Sequence, residues 1–304
     1  LISVRNGTLG VTLKVGDFMK IGFVGAGKVG FTLGKYFQSK GISVVGYFSK
    51  NITSAKEASS FTNTSCFESI NDLVRNCDAL FLTVPDNNIR DVYSSLSKQA
   101  IKGKLICHCS GVMSAKEAFD DAEDFGAMIC SVHPLFAISD KYKSYCEIAD
   151  GFFSVEGSAL GVKLVTDILK KCGNDFQVID KSMKHKYHLS ATIGSNLVVG
   201  LLDFCISTLV DCGFTRENAL KALTPIVTNN VKNVMENDVV SSLTGPVERC
   251  DTNTVTKHLN CLSGEEKEIY TLLSKRILSI SKVKNENRDY SELQVLLKGA
   301  ENEK

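Results

Sequence analysis

The apolar positions of this chain follow two different rhythms, and the change between them divides it. From Met19 to about residue 180, short apolar runs alternate with segments whose apolar residues recur every three to four positions. Ile21, Phe23 and Val24 predict a first strand and Ile42 to Phe48 a second. An amphipathic helix starting near Lys28 (Val29, Leu33, Tyr36, Phe37) joins them. A helix near Ser54 to Ser60 and an extended piece at Ser65 to Phe67 come next. Asp78 to Val84 is a continuous apolar run of the kind buried on both faces of a parallel sheet. Pro85 stops it, and Asp86 is placed to cap a helix reaching about Lys98. Lys104 to Cys109, Ala127 to Val132, Phe152 to Val155 and Phe176 to Ile179 read as further strands, with a helix from Ala159 to Cys172. The alternation predicts a doubly wound, mostly parallel α/β domain over residues 19–180.

Beyond Lys181 the strand signals stop. A long helix is expected from about Ser182 to Cys212, ending at Gly213, a favourable residue just past a helix. Thr215 can cap a helix from Glu217 to about Asn237, in which Pro225 predicts a kink or break. Leu243 to Pro246 is a turn, Asp251 can cap a helix to about Leu262, and a last helix covers Glu265 to Leu278 before a charged, frayed tail. Residues 181–304 are therefore expected to form an all-α domain. Residues 1–18 have neither the apolar stretch of a signal peptide nor the Arg-rich character of a transit peptide, and read as an extension outside the fold.

The turn after the first strand carries the most specific chemistry. Gly25, Gly27 and Gly30 stand in a GxGxxG pattern between strand and helix, as a dinucleotide site requires. Gly25 permits the tight turn, Gly27 lets backbone approach a pyrophosphate, and Gly30 lets helix pack on strand. Ala26, Lys28 and Val29 complete the cradle, where helix N–H groups and the positive dipole end meet the phosphates. Val84-Pro85 and Ser110-Gly111 lie at the carboxyl ends of later strands, so they should border the same cofactor. An NAD site usually has an acid about 20 residues past the glycines. Here Ser49 and Lys50 stand at the end of the second strand, with no acid before Glu57. A hydroxyl and a cation suit a 2′-phosphate, so the expected cofactor is NADP; as ordinary loop residues they would merely be solvated.

Net charge changes the picture by exclusion. At +1 over 304 residues, nothing global points to nucleic acid or an anionic membrane, which leaves a small-molecule substrate as the expected partner. Eleven cysteines without a CxxC pair in a chain of this length read as free thiols in a reduced, cytoplasmic setting. Cys107-His108-Cys109 is a poor zinc site, because side chains alternate faces along a strand. Ile193 to Val210 is the most apolar run, but Asn196 and Asp203 interrupt it and it is barely of membrane length. It reads as a buried helix whose apolar surface a second copy would cover, hence a homodimer.

Candidate catalytic groups lie at the start of that helix. Lys184, His188 and Ser195 are spaced by four and seven, with Thr192 and Asn196 adjacent, which puts a cation, an imidazole, a hydroxyl and an amide on one stripe. Such a stripe can polarise a carbonyl or imine and supply a proton, with Lys184 as electrostatic stabiliser, His188 as proton donor and Ser195 and Asn196 orienting substrate. Equally, Lys184 and His188 could be solvated and Asn196 bonded to backbone. His133, ending a strand at the cofactor edge, could orient substrate or act as an acid, or be a turn histidine bonded to backbone. His185 and His258 read as surface or packing residues, and Arg249 and Asp251 as an ion pair or substrate ligands.

Taken in order, the glycine fingerprint, VPDNNI at Val84, HCSG at His108, SVHPL at Ser131, KHKYHLSATIGSN at Lys184 and LTGPVERCDTNTVTKHL at Leu243 resemble one family. It comprises Rossmann-like NADP oxidoreductases with a helical C-terminal domain of unknown function, similar to the 6-phosphogluconate dehydrogenase-like and deazaflavin-dependent NADP reductases. The resemblance runs from Met19 to about Leu262. It implies that the helical domain supplies site residues and the dimer interface, and it implicates Lys184, Tyr187, His188, Ser195, Asn196, His133 and Thr244 to Pro246, with Thr244 as a substrate-binding residue. Phe136 departs from the glutamine common soon after His-Pro-Leu, and His188 stands where β-hydroxyacid dehydrogenases have asparagine. The expectation is an NADP-dependent oxidoreductase moving hydride to or from a small carbonyl, imine or hydroxy compound, with the cofactor in the cleft between the domains. A non-catalytic NADP(H)-binding sensor or partner platform is the alternative.

Overall fold

The computed structural model describes residues 19–300; the extension expected at 1–18 lies outside them. Eight strands form one sheet: β1 (Ile21–Val24), β2 (Val44–Phe48), β3 (Ser65–Cys66), β4 (Ala79–Leu82), β5 (Leu105–His108), β6 (Met128–Leu135), β7 (Phe152–Gly157) and β8 (Phe176–Val178). Their spatial order is β3-β2-β1-β4-β5-β6-β7-β8. β1 to β6 run parallel, β7 turns antiparallel to β6, and β8 follows β7 in parallel. The strand order reverses between β1 and β4, where an open α/β sheet leaves its ligand crevice.

Between the strands lie α1 (Lys28–Ser39), α2 (Ile52–Thr62), α3 (Ile70–Asn76), α4 (Asp86–Ser94), α5 (Ala115–Ala118), α6 (Ser144–Glu147) and α7 (Ala159–Cys172). One core fills the face under α1, α2 and α7, around Phe23, Phe31, Phe37, Tyr47 and Leu169. The opposite face holds Leu73, Leu80, Ile89, Ile106 and Phe119 under α3, α4 and α5. Several boundaries depart from the sequence expectation. α3 was not expected, because in a helix of two turns only the adjacent Leu73 and Val74 are buried, too few to show a period. α4 begins at Asp86 with Pro85 as its N-cap, and the Asp86 carboxylate instead accepts from Ser110 Oγ at 2.7 Å. β6 does not end at Val132. It continues through His133 and Pro134 because β7 pairs with it there.

Cα packing divides the chain into a unit ending at Ser195 and another running from Asn196. The long helix is broken at that point: α8 (Lys184–Gly194) and α9 (Asn196–Asp211) are separated by Ser195, whose φ of −122° and ψ of −78° are not helical. In the second unit, α10 (Arg216–Asn237) starts at the Thr215 cap and runs uninterrupted through Pro225. The break expected at that proline is absent. α11 (Val239–Ser242), α12 (Thr252–Asn260), α13 (Gly264–Lys284) and α14 (Ser291–Gly299) complete the unit. Up to Ala300 the charged tail that was expected to fray is instead packed, with Tyr290, Leu293 and Leu297 buried with Val255, Leu259 and Leu278 in a third core. α9 also differs from expectation. Within this chain only its Ile206 is buried, while Leu197, Val199 and Leu201 are exposed. The stretch 181–211 is long and apolar enough to cross a membrane by length and composition.

Candidate active site

The glycine turn is built as the spacing requires. Gly25 has φ +101°, and a Cβ there would meet the Thr83 carbonyl oxygen at 2.7 Å and Val84 Cγ1 at 3.1 Å. A Cβ on Gly30 would collide with the Gly25 carbonyl oxygen and Thr83 Oγ1, so α1 crosses β1 only because both positions lack side chains. Gly27 is exposed and has no atom of the described residues near its would-be Cβ. It is the N-cap of α1, where no side chain caps the helix and no acid stands in the first turn. The N–H groups of Lys28 and Val29 therefore lie in an uncapped, positive helix end beside buried Ala26, a donor set that fits a pyrophosphate. Ser49 and exposed Lys50 follow β2 directly, ahead of Asn51, which caps α2 by accepting from Thr53 N–H at 3.0 Å. Both stand in the loop that directly follows the carboxyl end of β2.

A polar layer covers one face of β5, β6 and β7. Register pairs His108 with Ser131, Ser131 with Glu156, and His133 with Ser154. Strand alternation sends these five to the same face, while Cys107, Cys130, Val132 and Val155 join the core on the other. α8 packs over this layer. Its Tyr187 hydroxyl lies 2.8 Å from His133 Nδ1. The His188 ring sits 6.2 Å from that of His133, edge to face. A Cβ on Gly111 would strike His188 and come within 2.9 Å of His133 Nε2, so the bare backbone of the Ser110-Gly111 turn is what allows α8 this close.

Lys184 is 1% exposed, and its ammonium has no hydrogen-bond partner among the described residues. It lies 5.6 Å from the centre of the Tyr187 ring. Burial pulls its pKa below the usual lysine range, against the opposing charge of Glu156. Glu156 is 3% exposed and accepts from Ala115 N–H at 2.6 Å, so it caps α5 from the side. Burial raises its pKa, with that N–H and Lys184 pulling the other way. Burial first, and the Lys184 charge second, push His133 down to about 4 and His108 down to about 3. Both rings are therefore neutral near pH 7. Tyr187 is raised by burial and keeps its phenolic proton.

The structure thus gathers Lys184, Tyr187, His188, His133, Ser110 and Gly111 in one place. Within the unit that ends at Ser195, that last residue stays outside the group. Ser195 is exposed at the helix break and donates to Ala191 O at 2.7 Å, so the stripe ends before it. Asn196 and exposed Thr244 belong to the second unit. Asp251 caps α12 by accepting from Thr254 N–H at 3.0 Å, and His258 meets the Tyr270 hydroxyl at 2.8 Å. Ser110 is chiefly a tie, since its hydroxyl donates to Asp86 and accepts from Met113 N–H at 3.1 Å. Sequence reasoning missed Glu156 and His108 as parts of this layer. The available signal was polar residues at alternate positions in three successive strands.

Comparison with known proteins agrees with this architecture. Residues 20–110 match the profile of NADP oxidoreductases, coenzyme F420-dependent, and 151–277 match a domain of unknown function (DUF2520). No curated protein matches the chain in sequence. Among solved structures, a Thermotoga maritima protein superposes with a TM-score of 0.70 at 23% identity, covering 87% of this chain and 99% of its own. A Bacteroides fragilis protein provisionally assigned as an NADP oxidoreductase gives 0.64 at 19%, covering 86% and 99%. An imine reductase from a Pseudomonas species gives 0.60 at 13%, covering 87% and 98%. At these identities the likeness is one of fold.

Proposed function

For a chain that joins a domain of the coenzyme F420-dependent NADP oxidoreductase type to the DUF2520 domain, we propose an NADP-dependent oxidoreductase acting on a small carbonyl, imine or hydroxy compound. The observation that carries this reading is the convergence of His188 and His133, with Tyr187 bonded to His133 and buried Lys184 beside Tyr187, on the Ser110-Gly111 turn of the sheet that carries the dinucleotide cradle. Gly25 to Gly30 would hold the pyrophosphate, and Ser49 and Lys50 the 2′-phosphate. Val84, Pro85, Ser110 and Gly111 would border the nicotinamide. When bound, that cofactor supplies or accepts a hydride.

The chain's own residues would then manage charge and protons. The Tyr187 hydroxyl and Nδ1 of neutral His133 share one hydrogen bond, and in the tautomer where Tyr187 donates, Nε2–H of that ring faces the Gly111 turn. His188, on the same turn, donates or takes up the substrate proton. Lys184 supplies fixed positive charge from a desolvated position, where electrostatic stabilisation is larger than in water. Ser195, Asn196 and Thr244 are the proposed substrate-orienting groups. The free state of all eleven cysteines supports a reducing, cytoplasmic setting. The exposed apolar side chains of α9 support a homodimer formed through the helical unit.

The test begins with the purified protein, NADPH and a panel of cyclic imines, ketones and 2-oxo acids, followed by loss of the reduced-nicotinamide absorbance. A deazaflavin is included as an alternative hydride acceptor. Lys184→Ala and His188→Ala should each cut turnover by about 10²–10⁴-fold and leave NADPH affinity within a few fold. Failure of both variants to affect turnover of any substrate found would remove the assignment.

A further inference from the structure

Three buried side-chain groups in and over the polar layer, the Lys184 ammonium, His108 Nε2 and the Ser154 hydroxyl, have no hydrogen-bond partner among the described residues. Two of them are obligate donors: Lys184 Nζ, and His108 Nε2, beside which the Ser114 backbone lies outside good hydrogen-bond geometry. His108 is 0% exposed and its Nδ1 accepts from Ser110 N–H at 3.1 Å, so the neutral ring must carry its proton on Nε2. Leaving a buried donor without a partner is costly, and leaving a buried charge unpaired is more so. The nearby carboxylates each accept a bond from elsewhere. Glu156 accepts from Ala115 N–H and Asp86 from Ser110 Oγ, and neither reaches Lys184 Nζ by hydrogen bond. A neutral ketone or imine offers one weak acceptor to this pair. A carboxylate offers two oxygens and a negative charge within hydrogen-bond reach, whereas Glu156 acts on Lys184 without a hydrogen bond between them.

We propose that the ligand of this site is a small carboxylic acid, of the 2-oxo, 2-imino or 2-hydroxy class, whose carboxylate is taken by Lys184 Nζ and His108 Nε2–H. His188 and Tyr187, half-buried on the same helix, form the solvent side of that position. The choice of a redox-active acid rests on the oxidoreductase reading above; the carboxylate site itself does not. Lys184, set against its own carboxylate, thereby selects substrate as well as shaping the field around it.

The probe is pyruvate against its neutral isostere pyruvamide, titrated calorimetrically into full-length protein saturated with NADP+. Pyruvate should bind at one site per chain, at least tenfold more tightly than pyruvamide. Lys184→Met, which keeps length and removes charge, should abolish that preference, and His108→Phe should weaken it. Equal binding of acid and amide, or full pyruvate affinity in folded Lys184→Met, overturns the proposal. If the variants do not fold, nitrogen NMR of the unmodified protein decides. The Lys184 and His108 side-chain signals should shift on adding pyruvate and not on adding pyruvamide, and unmoved signals overturn it. Phosphate binding at these signals while pyruvate leaves them unmoved also overturns it. Lys184-dependent pyruvate binding without turnover of any acid would uphold the carboxylate site and sink the oxidoreductase reading. Turnover of neutral imines that pyruvate does not inhibit would do the reverse.

Discussion

Two glycines three residues apart in the same turn should respond to the same substitution in opposite ways. In Gly30→Ala the added methyl would fall inside contact distance of the Gly25 carbonyl oxygen and of Thr83 Oγ1. It also wedges into the bond that Thr83 Oγ1 donates to Gly25 O at 2.8 Å. Neither neighbour is the free end of a flexible chain, so α1 must move off β1 by an amount on the order of 1 Å to restore ordinary packing. Overpacking of this kind costs about 1–3 kcal/mol, and backbone contact places it at the upper end. For a domain of this size about 2–4 °C is lost per kcal/mol, so Tm should fall by roughly 6–12 °C. In Gly27→Ala the methyl meets no atom of the described residues, and φ of −74° suits alanine. Stability should change by less than about 1 kcal/mol in either direction, because the gain from restricting the unfolded chain is offset by alanine's poorer fit at a helix N-cap. If the pyrophosphate lies against Gly27, NADPH affinity should nonetheless drop about tenfold or more, the equivalent of about 1.4 kcal/mol. Calorimetric melting and NADPH titration of both variants separate the two effects. Unchanged NADPH binding by Gly27→Ala would refute the placement of the phosphates, and an unchanged Tm for Gly30→Ala would refute the close helix–strand packing.

NADPH should bind about ten- to a hundredfold more tightly than NADH, because charge-assisted bonds to a phosphate are worth about 1.5–3 kcal/mol each; Lys50→Asp should erase or reverse this, and equal affinities in the unmodified protein would reject the role of Ser49 and Lys50. Acid should destabilise the sheet unit early. His108 and His133 are depressed to about 3 and about 4, so the unfolded chain takes up protons that the folded one refuses. Their contribution is full above about pH 6.5 and is lost as pH falls from there towards 4, and a stability profile flat between pH 6.5 and 4.5 would contradict it. Light scattering at micromolar concentration should give a dimer, and Val199→Glu, at a position 67% exposed in the single chain, should dissociate it; a monomeric unmodified protein, or one recovered only with lipid, would exclude this interface.

Period and punctuation alone carried the sequence to a doubly wound sheet followed by helices, and to the cofactor turn. Those features are local: alternating apolar runs, a proline, three glycines whose spacing has a steric reason within one turn. α7 could be read to the residue because Ser158 and Gly173 mark its ends. Other features depended on what lies beside a segment rather than within it. Nothing in the apolar run of the long helix announces the break at Ser195, and nothing at Val132 says that a partner strand will carry β6 on through His133. The burial of Lys184 is of the same kind. Helical spacing placed it on a stripe with His188, but could not say that β5, β6 and β7 would meet that stripe with His108, Ser131 and Glu156 on one face. Register between strands far apart in the chain is a tertiary property, since a slip of one residue would turn all of those groups to the other side of the sheet.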